Sequence, residues 1–418
     1  MAKFRPAANA SAYYVDANNG LDTGNDGLSP AKAWKTIAKL NAATVKAGDV
    51  VRLARGSAWS ETLRIEPIES GTPATPIVFE AYGTGDAPTI TCAADLPAVY
   101  IRGACITMLD LRLRSAKIGF QLGTESQNAI LAGNEIVDVG IGIYAEGNGH
   151  GFFSNYIHDL HMIRNTPAPG DDYGAEGIVM TGSDMEAAWN RLVNCIAPSY
   201  DFEVDGGAFE TWGSGTLKHI FIHHNLADNV DGFMELTNNI DDLVISHNLI
   251  INSVGGLGFH MDDIPGKNYT YTRVRFENNI VYRNTKVLKA AVFTFLGSKY
   301  GQQLTGSDMI MRDNIICCNR RLTYNPEALG SRFVHDHNVY YFTNGGWRPG
   351  HHRCRRDPLQ LRPRRRRHHP EPAGIDRRLS IPVSPSRLAH QVAKLRFPEQ
   401  AVYPHPKPKA PCRSSHQA

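Results

Sequence analysis

Two short segments of the sequence repeat each other and place acidic residues at matching points. Residues 204–213 read VDGGAFETWG and residues 230–238 read VDGFMELTN. Glu210 and Glu235 each stand three residues after a glycine. If the segments are stacked strands, the two carboxylates lie about 5 Å apart, and like charges this close need a proton or a cation between them. The repeat therefore predicts acid–base or metal chemistry.

Other polar residues surround this pair in the sequence. An insert, PAPGDDYGAEG at residues 167–177, precedes the first copy, and GFHMDD at residues 258–263 follows the second. The residues predicted to carry catalysis are Glu210, Glu235, Lys218, His260 and Tyr173. The acidic residues predicted to bind a substrate are Asp172, Glu176, Asp205, Asp231 and Asp262.

The same residues have a purely structural interpretation. The acids could face solvent or cap turns, in which case the two copies share only a spacing. By simple count, His260 is one position out of line with the two glutamates, so it joins them only if a bulge shifts the strand. A single histidine in a strand more often packs or faces solvent.

The strands that would position these residues repeat along the chain. A glycine opens a short apolar strand at Gly119, Gly142, Gly177, Gly207, Gly232 and Gly258. Each strand is followed by an asparagine inside a second strand, and the series runs through Asn134, Asn155, Asn190, Asn225, Asn248, Asn279, Asn314 and Asn338.

This period predicts an all-β solenoid. Repeats of about 21–35 residues built from short strands are too short for βαβ units, but they fit one coil of a parallel β-helix. An asparagine at one position in every coil suits a ladder of stacked amides, so the asparagines are interpreted as structural. Connections of varying length leave the coils, and such loops commonly wall a binding groove.

The opening of the chain carries a family resemblance. YYVDANNGLDTGNDGLSPAKAW is rich in turn residues, TIAKLNAATVKAGD has helical spacing, and short β-type runs follow. With the coil pattern, this stretch resembles the N-terminal region of right-handed parallel β-helix enzymes of the polysaccharide lyase and hydrolase type. The resemblance implies a right-handed parallel β-helix with an N-terminal capping helix over about residues 12–345.

Composition divides the chain into three parts. Residues 1–12 are expected to be disordered, residues 13–345 to form the β-helix, and residues 346–418 to form a basic tail that is disordered or aberrant in sequence. From Trp347 onward there are 17 Lys and Arg against 4 Asp and Glu, whereas the first 346 residues carry 27 basic and 37 acidic groups. The alternative for the tail is a basic arm that binds polyanions.

These numbers also bear on partners and localisation. An acidic body argues against nucleic-acid binding. The sequence contains no run of about 18 apolar residues, so no membrane span is predicted, and no signal peptide is visible at the start. A secreted or periplasmic monomer that acts on a polysaccharide is expected.

Two reactions fit the acidic residues. A β-eliminating lyase needs a base, such as lysine, tyrosine or histidine, and a group that neutralises the carboxylate of a uronic-acid unit. By resemblance to alginate and chondroitin lyases, Ca²⁺ would neutralise that carboxylate, with Asp205, Glu210 and Glu235 as candidate ligands and Lys218 as the base. Glu235 stands where an arginine would be expected in that family, and no second glutamate lies two residues from Glu210.

A glycoside hydrolase would instead use two carboxyl groups, one of them held protonated by the neighbouring charge. The sequence favours the lyase, on a uronic-acid polymer such as alginate, over the hydrolase. A non-catalytic carbohydrate-binding or adhesin module is the third alternative, and it would not need acids clustered in consecutive coils.

Overall fold

The structure is a computed structural model. It describes residues 8, 10–167, 172–213, 215–254, 257–259, 270–283, 292–295, 306–318, 322–324 and 330–342. The predicted tail at residues 346–418 lies outside the described residues, as does most of the predicted disordered segment at residues 1–12.

Short strands make up almost all of the regular structure. The first nine are β1 (Ala12–Val15), β2 (Val50–Ala54), β3 (Ala58–Ser60), β4 (Leu63–Ile65), β5 (Ile77–Tyr82), β6 (Thr89–Thr91), β7 (Pro97–Ile101), β8 (Ile106–Leu109) and β9 (Arg112–Leu122). The middle of the chain forms β10 (Ile130–Ala132), β11 (Glu135–Ala145), β12 (Gly151–Phe153), β13 (Tyr156–His158), β14 (Met162–Arg164), β15 (Tyr173–Gly174), β16 (Glu176–Met180), β17 (Met185–Ala188), β18 (Arg191–Val193), β19 (Ala197–Ser199), β20 (Glu203–Asp205) and β21 (Gly207–Thr211).

The remaining strands are β22 (Thr216–His223), β23 (Leu226–Asp228), β24 (Gly232–Leu236), β25 (Asn239–Ser246), β26 (Leu249–Ile251), β27 (Leu257–Phe259), β28 (Tyr271–Glu277), β29 (Ile280–Arg283), β30 (Phe293–Phe295), β31 (Met309–Arg312), β32 (Ile315–Cys318), β33 (Thr323–Tyr324), β34 (Phe333–Asp336) and β35 (Val339–Phe342). Single 3₁₀ turns lie at Pro30–Lys32 and Gly330–Arg332.

The strands stack in parallel, each on its equivalent in the next coil, and form three long rows. Sheet 1 runs β1-β2-β5-β8-β10-β12-β17-β22-β25-β28-β31-β34. Sheet 2 runs from β3 and β6 through the first halves of β9 and β11 to β13, β18, β23, β26, β29, β32 and β35. Sheet 3 runs from β4 and β7 through the second halves of β9 and β11 to β16, β21, β24, β27, β30 and β33. The predicted right-handed parallel β-helix is confirmed.

The core lies inside the coils, between the three sheets. Along sheet 3 one inward position is occupied in successive coils by Phe120, Ile143, Ile178, Phe209 and Met234, all essentially inaccessible to solvent. Because each coil contributes an equivalent apolar side chain, stacking neighbouring coils buries one continuous core.

The asparagine ladder is confirmed over the whole predicted series. From Asn134 to Asn314, each backbone N–H and side-chain amide donates to the Oδ1 of the asparagine in the next coil, ending at Asn338. The asparagines lie at the corner between sheets 1 and 2, one residue before a strand rather than inside it. The residue before each has a positive φ, which lets the chain turn this corner: Gly133, Ser154, Trp189, His224, His247, Asn278, Asp313 and His337.

The predicted N-terminal helix is shorter than its sequence pattern indicates. Helix α1 spans only Ile37–Asn41, and the Thr36 hydroxyl caps it by accepting a hydrogen bond from the Lys39 N–H. Ile37 and Leu40 are buried in the core of the first coils. That this short helix closes the end of the coil stack stays a prediction. No helix in the described part of the chain is long and apolar enough to span a membrane.

Candidate active site on sheet 3

Glu210 and Glu235 are stacked, as the repeat predicts. β21 and β24 are neighbours in sheet 3, with Gly207 opposite Gly232 and Glu210 opposite Glu235. Adjacent strands are about 4.8 Å apart, so the two side chains leave the sheet side by side. Glu210 is half-buried and Glu235 is exposed.

Glu176, from the coil before, completes a three-glutamate group. Its register partner is Gly207 rather than Glu210. A Cβ atom added to Gly207 would lie 3.0 Å from Glu176 Oε2, so the Glu176 carboxyl occupies the space that a side chain at residue 207 would fill. From there the Glu176 carboxyl group lies close enough to Glu210 for the two groups to shift each other's pKa. The missing side chain at Gly207 thus allows two glutamates from different strand positions to meet.

A bend in β16 brings Glu176 to the outer face. A Cβ atom on Gly177 would point at the Ala208 carbonyl oxygen and the Leu192 side chain, inside the coil. Val179 packs on the outer face. Glu176 and Val179 therefore both face outward although they are three residues apart, which simple strand alternation does not predict.

Burial and charge favour a proton on these carboxyl groups. Glu176 is only 6% exposed, and burial raises its pKa well above the ordinary value; the charges of Glu210, Asp205 and Glu235 raise it further. Burial also raises the pKa of Glu210 well above its usual range, and the charge of Glu235 adds to this. The interaction between the two carboxyl groups adds to the rise in the pKa of Glu176 and offsets part of the rise for Glu210, whose pKa stays raised. Both groups therefore keep a proton to higher pH than an exposed glutamate does.

A buried apolar cluster adjoins the acidic group on the same sheet. Ile118, Ile141 and Val179 form this cluster outside the main core, and the half-buried side chains of Tyr144 and Trp212 pack against it. The Tyr144 and Trp212 rings have centroids 5.7 Å apart. The Trp212 side chain also lowers the pKa of the Glu210 carboxyl group. Trp212 therefore joins the apolar and acidic halves of the site.

Asp205 belongs to the acidic group. Asp231 lies one residue before β24, the strand that carries Glu235. Asp205 ends β20, and its charge raises the pKa of both Glu176 and Glu210. Asp231 is 9% exposed, and its backbone N–H donates to the Cys195 carbonyl at 3.3 Å. The group that the structure brings together is thus Glu176, Asp205, Glu210 and Glu235.

Asp172 holds a loop together. Its carboxylate accepts hydrogen bonds from the backbone N–H groups of Thr166, Tyr200 and Asp201 and from the Ser199 hydroxyl, at 2.7–3.0 Å. Burial raises the pKa of Asp172, but these hydrogen bonds outweigh it, and the pKa is lowered. The contacts of Asp172 are therefore those of an anchor that stays ionised, rather than of a group aimed at a substrate.

The remaining candidates are not brought into the acidic group. Tyr173 is half-buried in β15, which pairs antiparallel with β14. Lys218 is exposed on β22 in sheet 1, opposite Asp241, and not on the sheet that carries Glu210 and Glu235. His260 and Asp262 lie outside the described residues.

The described carboxyl groups do not form a preformed calcium site. Among the residues that the structure describes, no group of three or more His, Cys, Asp or Glu side chains is arranged to hold a metal ion. That Asp205, Glu210 and Glu235 hold Ca²⁺ stays a prediction.

Sequence reasoning missed two features of this site. Neither the position of the Glu176 carboxyl group over Gly207 nor the role of Trp212 follows from strand counting. The sequence does contain a signal for each: Glu176 directly precedes a repeat glycine, and Trp212 follows Glu210 by two residues.

Known proteins resemble this chain in fold at low sequence identity. The sequence matches no protein-family model, and no curated protein is significantly similar to it. Among solved structures, it is similar to pectate lyase Pel9A, with a TM-score of 0.48 and 13% identity over 82% of this chain and 83% of that one. It is also similar to an alginate lyase from Paenibacillus sp. str. FPU-7, with a TM-score of 0.46 and 18% identity over 73% and 97%.

A third similar structure is the GH136 lacto-N-biosidase from Eubacterium ramulus, with a TM-score of 0.43 and 12% identity over 79% of this chain and 68% of that one. These enzymes have different reactions, and the TM-scores are below 0.5. The fold assignment accordingly rests on the strand register described above, and the chemistry rests on the residues of the site.

Proposed function

We propose that this protein is a secreted or periplasmic enzyme that degrades a polysaccharide, and that it does so as a glycoside hydrolase acting in the groove over sheet 3. The observation that supports the proposal is the group formed by the buried Glu176, the half-buried Glu210 and the exposed Glu235 on three successive coils of sheet 3. Glycosidases need one carboxyl group that stays protonated near neutral pH and a second that is ionised.

Each glutamate has a distinct role in this mechanism. Glu210 donates its own proton to the glycosidic oxygen as the bond to the sugar breaks. Glu176 lies beneath it and is a positioning residue that keeps the proton available. Glu235, the exposed carboxylate on the next coil, attacks the sugar carbon or activates a water molecule. The spacing of adjacent strands, about 4.8 Å, is closer to the separation of carboxyl groups in retaining enzymes than in inverting ones.

The charge of the groove favours a neutral substrate. All the charged groups named above as raising the pKa of Glu176 and Glu210 are carboxyl groups. A uronate unit over the described part of this site would bring another negative charge next to them. A neutral sugar adds no such repulsion, and the half-buried rings of Tyr144 and Trp212 suit the CH-rich face of a sugar ring.

A β-eliminating lyase is the second candidate. The sequence resemblance favours it, and an elimination would also use a protonated glutamate to release the leaving oxygen. The candidate base Lys218 lies on sheet 1, however, so the base would have to come from elsewhere.

A polysaccharide panel separates the two reactions. The protein is incubated with neutral and uronic-acid polymers, and both reducing ends and the ultraviolet absorbance of unsaturated uronate are followed. Reducing ends from a neutral polymer without new absorbance are expected. Absorbance on alginate or pectate would identify a lyase instead, and no product on any polymer would favour a binding module.

A further inference from the structure

A short hairpin beside the acidic group exposes two aromatic side chains. β19 and β20 pair antiparallel, with Ala197 opposite Asp205, and we name residues 197–205 the aromatic hairpin. At its tip Tyr200 is 66% exposed and Phe202 is 45% exposed. Large apolar side chains this accessible on a connection between coils contribute little to a core, so their role calls for another explanation.

The hairpin tip is held in a fixed shape. Asp172 accepts hydrogen bonds from the N–H groups of Tyr200 and Asp201. Asn165 adds two more, since its side-chain amide donates to the Pro198 carbonyl at 2.9 Å and its Oδ1 accepts from Tyr200 N–H at 3.1 Å. A rigid loop loses little conformational entropy when it binds, so the tip is preorganised for a ligand.

The hairpin leads directly into the catalytic strand. Asp205 ends it, and Gly206 connects it to the strand that carries Glu210. Gly206 has φ of +127° and packs so closely on Ala175 and Cys195 that an added Cβ atom would lie within 3.0 Å of both. The base of the hairpin is therefore packed against Ala175, the residue before Glu176.

We infer that the aromatic hairpin is a sugar-binding subsite in which the Tyr200 ring stacks on a neutral pyranose unit of the bound polymer, away from the bond that is cut. Tyrosine supplies a large, stiff contact surface at a low entropic cost, and a sugar ring presents a CH-rich face to it. Asp172 is a positioning residue that holds the tip. This inference rests on the proposed function for the identity of the ligand as a polysaccharide.

Substitution of Tyr200 tests the subsite in the active enzyme. Y200A is expected to raise KM for the polymer about tenfold, the cost of removing one well-placed aromatic contact, while kcat changes less than about twofold. Y200F should restore KM, because the ring and not the hydroxyl makes the contact. Y341A is the matched control, since Tyr341 is 41% exposed on β35, several coils away, and its KM should equal that of the wild type. A KM of Y200A within twofold of wild type would overturn the inference.

Asp172→Asn separates positioning from folding. Loss of the carboxylate should loosen the tip and raise KM in the same direction as Y200A, and the double variant Y200A/D172N should be little worse than Y200A alone. Additive effects of the two substitutions on KM would contradict a shared subsite.

A binding measurement keeps this test independent of catalysis. Electrophoresis of the E210Q variant through native gels that contain each polymer should show retardation, and Y200A/E210Q should show an apparent affinity about tenfold weaker. Retardation that is lost with Tyr200, when the wild type cuts no polymer, would support the hairpin and refute the hydrolase. Cleavage by the wild type without any effect of Tyr200 on retardation would support the hydrolase and refute the hairpin subsite.

Discussion

The protein contains two ladders of identical side chains, one of amides and one of carboxyl groups, and they behave in opposite ways. In the asparagine ladder each side chain donates to one neighbour and accepts from the other, so Asn225 is fully buried and fully hydrogen-bonded. In the glutamate ladder, Glu210 and Glu235 have the same stacked geometry but can only accept when ionised. Stacking of amides stabilises the fold by itself, whereas stacking of carboxylates requires a proton.

The largest expected effect comes from placing a carboxylate in the amide ladder. Asn225→Asp leaves an acceptor where the side chain now donates to Asn248 Oδ1 at 3.0 Å and to the Ala187 carbonyl at 3.0 Å. An unpaired buried charge of this kind costs about 3–5 kcal/mol. We expect that loss in the free energy of unfolding from urea denaturation at pH 7, or failure to fold. Asn229→Asp is the control, because Asn229 is exposed and its side-chain amide donates to Asn194 at the surface, where water can solvate a new charge. Equal stability of N225D and N229D would contradict the role of the ladder.

Replacing a carboxyl group by an amide in the glutamate ladder should greatly reduce activity. Glu210→Gln keeps the shape of the side chain but removes the proton that the leaving oxygen needs. We expect kcat on the best polymer to fall about 10²–10⁴-fold. Glu125→Gln is the matched control, since Glu125 is exposed and pairs with Arg102. Full activity of E210Q would remove Glu210 from the mechanism.

The raised pKa of Glu176 also predicts that glutamine at this position stabilises the folded protein at high pH. The pKa of Glu176 is raised in the folded protein, so stability is highest below the pKa of the unfolded chain and is lost as pH rises through the folded pKa. Glu176→Gln cannot ionise and should escape this loss. We expect its Tm at pH 8 to exceed that of the wild type by about 2–4 °C, the shift that about 1 kcal/mol produces in a large domain, with little difference at pH 4. A Tm difference that does not change with pH would contradict the raised pKa.

The smallest effect concerns the residue that joins the two halves of the site. The Trp212 side chain stabilises the ionised form of Glu210, so removing its N–H should raise the pKa of that carboxyl further. Trp212→Phe keeps an aromatic ring beside Tyr144. The kcat/KM profile should therefore extend to higher pH, with a rate loss near neutrality no larger than about tenfold, as expected for one hydrogen bond of about 1 kcal/mol. A shift of the profile to lower pH would contradict this effect of Trp212 on Glu210.

The sequence was sufficient to predict the repeating frame. The parallel coils, the asparagine ladder and the pairing of Glu210 with Glu235 all follow from residue counts, because a strand stacked on its own repeat keeps the same register in every coil. The predicted helix over residues 36–49 extends only to Asn41. Local helical spacing did not account for the packing of the first coil.

The site was predictable only in part. Counting places Glu176 in the coil before Glu210, but their contact depends on the bend at Gly177 and on the space above Gly207, which are three-dimensional properties. Lys218 is only eight residues beyond Glu210, yet a corner puts it on a different sheet. The sequence predicted Asp172 to bind a substrate, and only its four hydrogen bonds show that it anchors a loop.

The asparagine ladder also affects how this molecule could be altered by evolution or design. The sequence distance between successive ladder asparagines varies between 21 and 35 residues, while every step keeps the same hydrogen bonds. The frame is therefore indifferent to the length of the connections between its strands. A connection such as the aromatic hairpin could be exchanged for another without a change of register, which would give the same catalytic strand a different substrate range.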